Sequence, residues 1–283
     1  MNKLNVSDML EVLDVSKASD VVDFLKTSKE SGTKRPTVSA IIPALNEAGN
    51  LRHVLPRIPA WVDEVILIPG PSTDGTAEVA RALMPHIRIV EQDGKGKGAA
   101  LRSGIRAATG DIVVLLDADG STDPIEIPNF VATLMAGADY AKGSRFLQGA
   151  GTSDMPGFRQ MGNGSLVTLT NVLFGTRFTD ITYGYNAFWR KHAEHLALDI
   201  NNWAMEIISN IRVARDGLRV VEVASFEYQR ITGEAKLDTF SAGWMILKAI
   251  LQEWARSGRK SQAKQIAEPV DRRYFPGVVI DGF

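Results

Sequence analysis

The sequence predicts an α/β protein built on a mainly parallel central sheet flanked by helices, with one ligand-binding edge. Three observations carry this expectation. From Thr37 onward, short apolar runs alternate with helical patterns. The run Ile112-Val113-Val114-Leu115-Leu116 is branched and apolar throughout, then stops abruptly at Asp117-Ala118-Asp119-Gly120-Ser121. A strand of that kind is buried on both faces, as in a parallel sheet covered by helices. Finally, the apolar runs end in loops rich in Gly, Pro, Ser and Asp, at 43–47, 69–76, 94–98 and 117–121. Repeated strand–loop–helix units imply right-handed crossovers, which bring these loops to the same edge, where α/β sheets bind ligands.

Taken in order, residues 1–36 read as a helical arm. Two amphipathic patterns, Ser7 to Val15 and Ser19 to Leu25, each open on a serine with an aspartate following, which suits a helix N-terminus. The arm is expected to pack on the domain or on a second subunit. Strands are expected at 38–42, 64–68, 87–91 and 112–116, with helices at 50–58, 76–83 and 99–108 between them. Phe130 to Gly137 reads as a helix that packs, Leu147 to Phe158 as a mobile loop, and Gly162 to Phe174 as a further helix. Asn201 opens a helix that runs to Asp216 and stops at Gly217. Ser241 to Trp254 is an apolar-rich helix followed by Arg256, Arg259, Lys260 and Lys264, and the tail from Gln265 to Phe283 is apolar enough to dock.

At 283 residues the chain can bury a proper core. Its 32 Lys and Arg against 33 Asp and Glu give no electrostatic case for nucleic acid. The absence of cysteine excludes disulfides, thiolate metal sites and a cysteine nucleophile. No stretch reaches the roughly 18–20 apolar residues of a membrane span, and Met1-Asn2-Lys3-Leu4 lacks the apolar core of a signal peptide. The expectation is a cytoplasmic protein. The helix at 241–254 is too short to cross a bilayer; it suits burial on the domain or in a homodimer, and also peripheral contact at the inner face of a membrane.

Two carboxylates one residue apart, Asp117 and Asp119, can share a hard divalent cation, Mg²⁺ or Mn²⁺, whose shell is completed by water and phosphate oxygens. The alternative is a solvated loop. His53, His86, His192 and His195 show no metal spacing tied to these motifs. Trp203 is a candidate sugar platform, whereas Trp61, Trp189, Trp244 and Trp254 are expected to pack.

Ile41-Ile42-Pro43-Ala44-Leu45-Asn46-Glu47, Ser72-Thr73-Asp74-Gly75-Thr76, Gly96-Lys97-Gly98-Ala99-Ala100-Leu101-Arg102-Ser103-Gly104 and Leu116-Asp117-Ala118-Asp119 together resemble the family 2 glycosyltransferases, the inverting GT-A type. Arg230-Ile231-Thr232-Gly233-Glu234-Ala235-Lys236-Leu237 is similar to a late segment of the dolichyl- and polyprenyl-phosphate branch. The resemblance implies a GT-A domain over 37–237, with a nucleotide-sugar half at 37–121 and an acceptor half at 122–237, followed by a C-terminal helix and tail at 238–283. It implies a nucleoside-diphosphate sugar, UDP- or GDP-linked, walled by Pro43, Ala44, Asn46, Glu47, Gly70 and Ala118. Asp119 would be the direct metal ligand, with Asp117 at the ribose or sharing the ion. Lys97, Arg230 and Lys236 would face the diphosphate.

One departure stands out. Where family members usually carry aspartates after the second strand, one of which commonly reads the base through its ring N–H, this chain has Pro69-Gly70-Pro71. On the acceptor side, the resemblance places Arg145 and the segment holding Tyr183, Gly184 and Tyr185 beside the acceptor, where the two tyrosines either stack on a sugar or simply pack; Trp203, near Glu206, adds a candidate sugar platform. Glu206 is the first candidate for a base that takes a hydroxyl proton, with Asp180 second. A phosphate acceptor, anionic near neutral pH, needs no base. The expected function is metal-dependent hexose transfer to a soluble, small-molecule or saccharide acceptor. That leaning rests on the absence of membrane spans; the alternatives are a polyprenyl-phosphate acceptor, a non-catalytic nucleotide-sugar binder and, from its shared general architecture, a sugar-1-phosphate nucleotidylyltransferase, which the lack of a glycine-rich phosphate loop after the first strand disfavours.

Overall fold

The computed structural model describes residues 18–31, 35–233 and 239–257; the expected helix at 7–15, Lys236 and the tail fall outside the described residues. In chain order the elements are α1 (Ala18–Ser31), β1 (Val38–Pro43), α2 (Ala48–Val54), β2 (Glu64–Ile68), α3 (Thr76–Leu83), β3 (Arg88–Ile89), α4 (Lys97–Ala107), β4 (Ile112–Leu115), α5 (Ile127–Met135) and β5 (Tyr140–Ser144). They continue with β6 (Gly151–Thr152), α6 (Gly157–Phe174), β7 (Asn186–Trp189), α7 (Ala204–Arg215), β8 (Val220–Ala224), β9 (Phe226–Glu227) and α8 (Thr239–Ser257).

The main sheet runs β3-β2-β1-β4-β7-β5-β8. Strand β4 shows why it holds the fold together. All of its residues are buried, and they alternate between two cores. Ile112 and Val114 join the layer that includes Val21 and Leu25 of α1, Leu51 and Phe130. Val113 and Leu115 join Leu101, Ile105, Ile207, Ile211, Ile246 and Ile250 on the other face. The N-terminal arm thus contributes two fully buried side chains to the domain's own core.

The sheet is mainly parallel with one reversal that periodicity does not reveal. Strand β7 lies antiparallel to both β4 and β5, with Leu115 opposite Asn186 and Lys142 opposite Asn186. The start of β7, not its end, therefore lies beside the C-terminal ends of β4 and β5. This delivers Tyr183 and Gly184 to the ligand edge.

Several boundaries move for local reasons. Helix α2 gives way to a tight turn at Leu55–Arg57, where Pro56 has no N–H to continue the ladder. The segment expected as a mobile loop contains β6, which pairs in parallel with β9. Helix α8 packs Ile246 and Ile250 inward and is tied to α7 by buried Glu253, which accepts from Arg212 Nε and Nη2 and from Arg215 Nη1, each at 2.9 Å. Glu253→Ala is expected to cost about 1–3 kcal/mol of stability in urea denaturation; a loss indistinguishable from zero would mean that α8 is held by apolar packing alone.

Candidate active site

A cavity of about 1010 Å³ opens at the C-terminal edge of the sheet and extends between α6 and α8. Its centre is a pair of ion clusters. Lys97, at the first position of α4, reaches across the floor to Asp117 Oδ1 at 2.6 Å and Glu206 Oε2 at 3.0 Å. Its ammonium also sits 4.5 Å from the centre of the Trp203 ring, within cation–π range. Arg230 bridges Glu47 Oε1 at 3.1 Å and Asp119 Oδ2 at 2.6 Å. The other Asp119 oxygen accepts from Ser121 N at 3.0 Å and Ser121 Oγ at 2.6 Å.

Backbone contacts place these groups. The start of α4 is pinned to the loop before α7 by Ala99 N donating to Asn201 O and by Arg102 Nη1 donating to Asn201 Oδ1. Lys97 and Glu206 therefore approach from two elements fastened together. The chain at 228–231 runs beside the aspartate loop, with Tyr228 N donating to Ser121 O and Ile231 N to Asp119 O. Gly184 lies against the Lys97 cluster, where a β-carbon would stand only 2.6 Å from Glu206 Oε1 and 3.2 Å from Lys97 Nζ.

The electrostatics follow from burial and pairing. Burial alone would pull the Lys97 pKa down; Asp117 and Glu206 outweigh it and hold the group above its ordinary value, so it stays charged. Burial pushes Glu206 up to about 7, with Lys97 opposing and Asp117 adding to the rise.

The expected donor residues Pro43, Ala44, Glu47, Lys97, Asp117, Ala118, Asp119 and Arg230 all line this cavity. Asn46 and Gly70 support it from behind. Asn46, at φ +53°, donates its N–H to Ser72 Oγ and accepts from Thr73 N through Oδ1. Asp74 accepts from Ala48 N and Thr76 N. The Ser72–Thr76 motif therefore fastens the loop after β1 to the loop after β2. On the acceptor side Arg145, Tyr183, Gly184, Trp203 and Glu206 line the cavity.

Three expectations are corrected. Tyr185 is fully buried in the core, where it stacks on Phe130 at 4.2 Å and its hydroxyl donates to Asp123 O; it has no face for a sugar. Asp180, also fully buried, accepts from Arg145 Nε at 2.7 Å and Nη2 at 2.9 Å, so both of its oxygens are engaged by one guanidinium. Trp244 and Trp254 do not pack inward: they are 69% and 49% exposed, with Trp244 at the mouth of the cavity. Sequence reasoning also missed Phe158, Leu166 and Phe240 at that mouth and Gln92 at the opposite end, beside Pro71 of the departing loop. The apolar residues left on the outward sides of α6 and α8 were the available signal for the first group; Gln92 gives none.

Asp180→Asn leaves Arg145, 5% exposed, short of one charge partner. The expected loss is about 3–5 kcal/mol by chemical denaturation. Full stability with abolished turnover would return Asp180 to the chemistry.

The sequence profile described as Glycosyl transferase family 2 matches residues 39–196. The polyprenol monophosphomannose synthase of Mycolicibacterium smegmatis is 30% identical over 84% of this chain and 95% of its own length. The dolichyl-phosphate hexose transferase of Haloferax volcanii is 32% identical over 76% of this chain and 92% of its own. A low-salt glycan biosynthesis hexosyltransferase of the same organism is 29% identical over 76% of this chain, which spans only 53% of that longer protein. Among solved structures, the glucosyl-3-phosphoglycerate synthase from Mycobacterium tuberculosis, crystallised with Mn²⁺, uridine diphosphate and phosphoglyceric acid, superposes with a TM-score of 0.64 at 23% identity over 82% of each chain. With its family profile covering more than half of the sequence, and with the shared fold, this chain belongs to glycosyltransferase family 2 and is a glycosyltransferase of the GT-A fold.

Proposed function

We propose that this glycosyltransferase moves a hexose from a nucleoside-diphosphate sugar to a polyprenyl phosphate presented by a membrane surface. The observation that carries the reading is the continuity of the cavity from the Lys97 and Arg230 clusters to an apolar mouth on α6 and α8, lined by Phe158, Leu166, Phe240 and Trp244. An acceptor with an anionic head and a long apolar body matches that gradient; a free saccharide matches only the charged end. The leaning toward a soluble acceptor gives way accordingly, and the names of the relatives favour the lipid phosphate.

The mouth also suits a bilayer. Phe158, Met161, Phe240 and Trp244 are 56%, 74%, 81% and 69% exposed. The charged residues of α6 and α8 are Arg159, Lys248, Glu253 and Arg256, and the one acid among them is buried. Exposed aromatics on helices whose own exposed charges are basic are the chemistry of an interfacial surface. No helix among the described residues is long and apolar enough to cross a membrane.

In the proposed reaction an acceptor phosphate oxygen attacks the anomeric carbon in line, the bond to the β-phosphate breaks, and the configuration inverts. Lys97 and Arg230 supply fixed positive charge where the diphosphate leaves. Glu206 and Asp117 hold Lys97 at that position. A phosphate acceptor brings no hydroxyl proton to remove.

The donor set also fits a hard divalent cation. Among the described residues no cluster of three or more metal-ligating side chains occurs, so an all-protein cage is absent there. A cation that keeps water and phosphate ligands needs only one or two carboxylates, and Asp117 and Asp119 provide them, with Ser121 alongside. When bound, Mg²⁺ or Mn²⁺ would act as a Lewis acid toward the leaving diphosphate. Each carboxylate also has a cation partner, Lys97 for Asp117 and Arg230 for Asp119.

A second reading has its own observation. Glu206, pushed up to about 7, is suited to accept a hydroxyl proton near neutral pH.

Two predictions separate these readings. Incubation with UDP- or GDP-linked hexoses, a divalent cation and polyprenyl phosphate in anionic vesicles should yield glycosylated lipid phosphate; turnover of saccharide hydroxyls without lipid product would contradict the proposal. In that assay Glu206→Gln should cost no more than about tenfold, whereas loss of a general base costs about 10²–10⁴-fold. If Glu206 is a base, the rate should instead rise with pH through about 7 as its carboxyl loses the proton, and the glutamine variant should lack that rise.

A further inference from the structure

Pro69-Gly70-Pro71 presents no hydrogen-bonding side chain at the end of the second strand, and Gln92 lies against the bare backbone there. Gly70 has φ +53°, and a β-carbon there would stand 2.7 Å from Gln92 Oε1. The next nearest group is Leu45 Cδ1 at 3.8 Å. The bare backbone at residue 70 is therefore what lets the Gln92 amide lie over the loop. Gln92 comes from the segment after β3, lines the cavity and is half-buried.

The orientation of the amide is fixed. Gln92 Nε2 donates to Gly96 O at 3.0 Å, which assigns the oxygen to the Gly70 side. That oxygen accepts no hydrogen bond among the described residues, so it remains an acceptor at the cavity wall. Its neighbours offer no competing neutral acceptor side chain. Leu45 and Pro71 are apolar, Lys95 has only donors, and the Glu47 carboxylate is engaged by Arg230 and Asn50.

The sheet order places the nucleoside here. The strand order turns between β1 and β4, and ligands of open α/β sheets lie in the crevice at such a point. With the diphosphate at Lys97 and Arg230, the apolar mouth between α6 and α8 takes the acceptor. The loops after β1, β2 and β3 are left for the base. The geometry points to Gln92 as the residue that reads the base, its amide oxygen accepting the ring N–H of uracil or guanine between walls formed by Leu45 and Pro71. Cytosine and adenine present a ring nitrogen lone pair at that edge, which faces the amide oxygen unfavourably. The inference rests on the donor site proposed above and adds the group that selects the donor's base.

Dissociation constants for UDP, CDP, GDP and ADP, measured calorimetrically with Mg²⁺ on wild type, Gln92→Leu and Gln92→Glu, test this. Wild type should prefer UDP over CDP, or GDP over ADP, by about tenfold or more; the larger of the two ratios identifies the base. Gln92→Leu should bring that ratio close to one, and Gln92→Glu, which keeps an acceptor, should retain it. Equal weakening of all four nucleotides in Gln92→Leu, or an unchanged ratio, would overturn the assignment while leaving the donor site intact. No binding of any nucleotide by wild type would instead overturn the donor site, and this inference with it.

Discussion

Lys97 and Arg230 each stand between two carboxylates, and most of what the structure does at its ligand edge depends on that arrangement. Lys97 alone would be costly to bury as a cation; Asp117 and Glu206 keep it charged. Arg230 does the same work between Glu47 and Asp119. These two clusters set four acidic side chains around two cationic ones, an excess of acid that a divalent cation would help to balance. Taking charges out of water is unfavourable by several kcal/mol per ion. A site that retains them is therefore suited to a ligand bearing both signs, such as a diphosphate with its cation.

The fold makes this arrangement without long-range strain. Four parallel strands bring the donor loops to one edge, and the reversed β7 inserts Gly184 where any side chain would collide with Glu206. The buried Arg145–Asp180 pair and the pairing of β6 with β9 then fasten the segments that border the acceptor half. The end of the cavity at the loops after β1 to β4 is built from short connections between strands and helices. The far end of the cavity is assembled from the sides of two helices, α6 and α8.

Much of the donor half was legible in the sequence because its signals are local. An apolar run that ends at Asp117 and Asp119 states both the strand and its exit, and the Ser72–Thr76 motif hydrogen-bonds chiefly to its own turn and the neighbouring loop. The acceptor half was less legible because its determinants are tertiary. Tyr183 and Tyr185 are two residues apart and look alike in sequence, yet one borders the cavity and the other is sealed against Phe130. Asp180 reads as a candidate base until Arg145, 35 residues earlier, is seen to enclose it. Trp244 and Ile246 lie within the same apolar pattern, and only packing of α8 on α7 decides which one faces solvent.

The most direct test of the central arrangement is calorimetric: nucleoside diphosphate against the matching nucleoside, with Mn²⁺, on wild type, Lys97→Met and Arg230→Gln. If the two cations are held for the diphosphate, each substitution weakens nucleoside diphosphate binding by about tenfold or more, while nucleoside binding stays as in wild type. Unchanged diphosphate affinity in both variants would show that Lys97 and Arg230 serve only to neutralise the carboxylates around them.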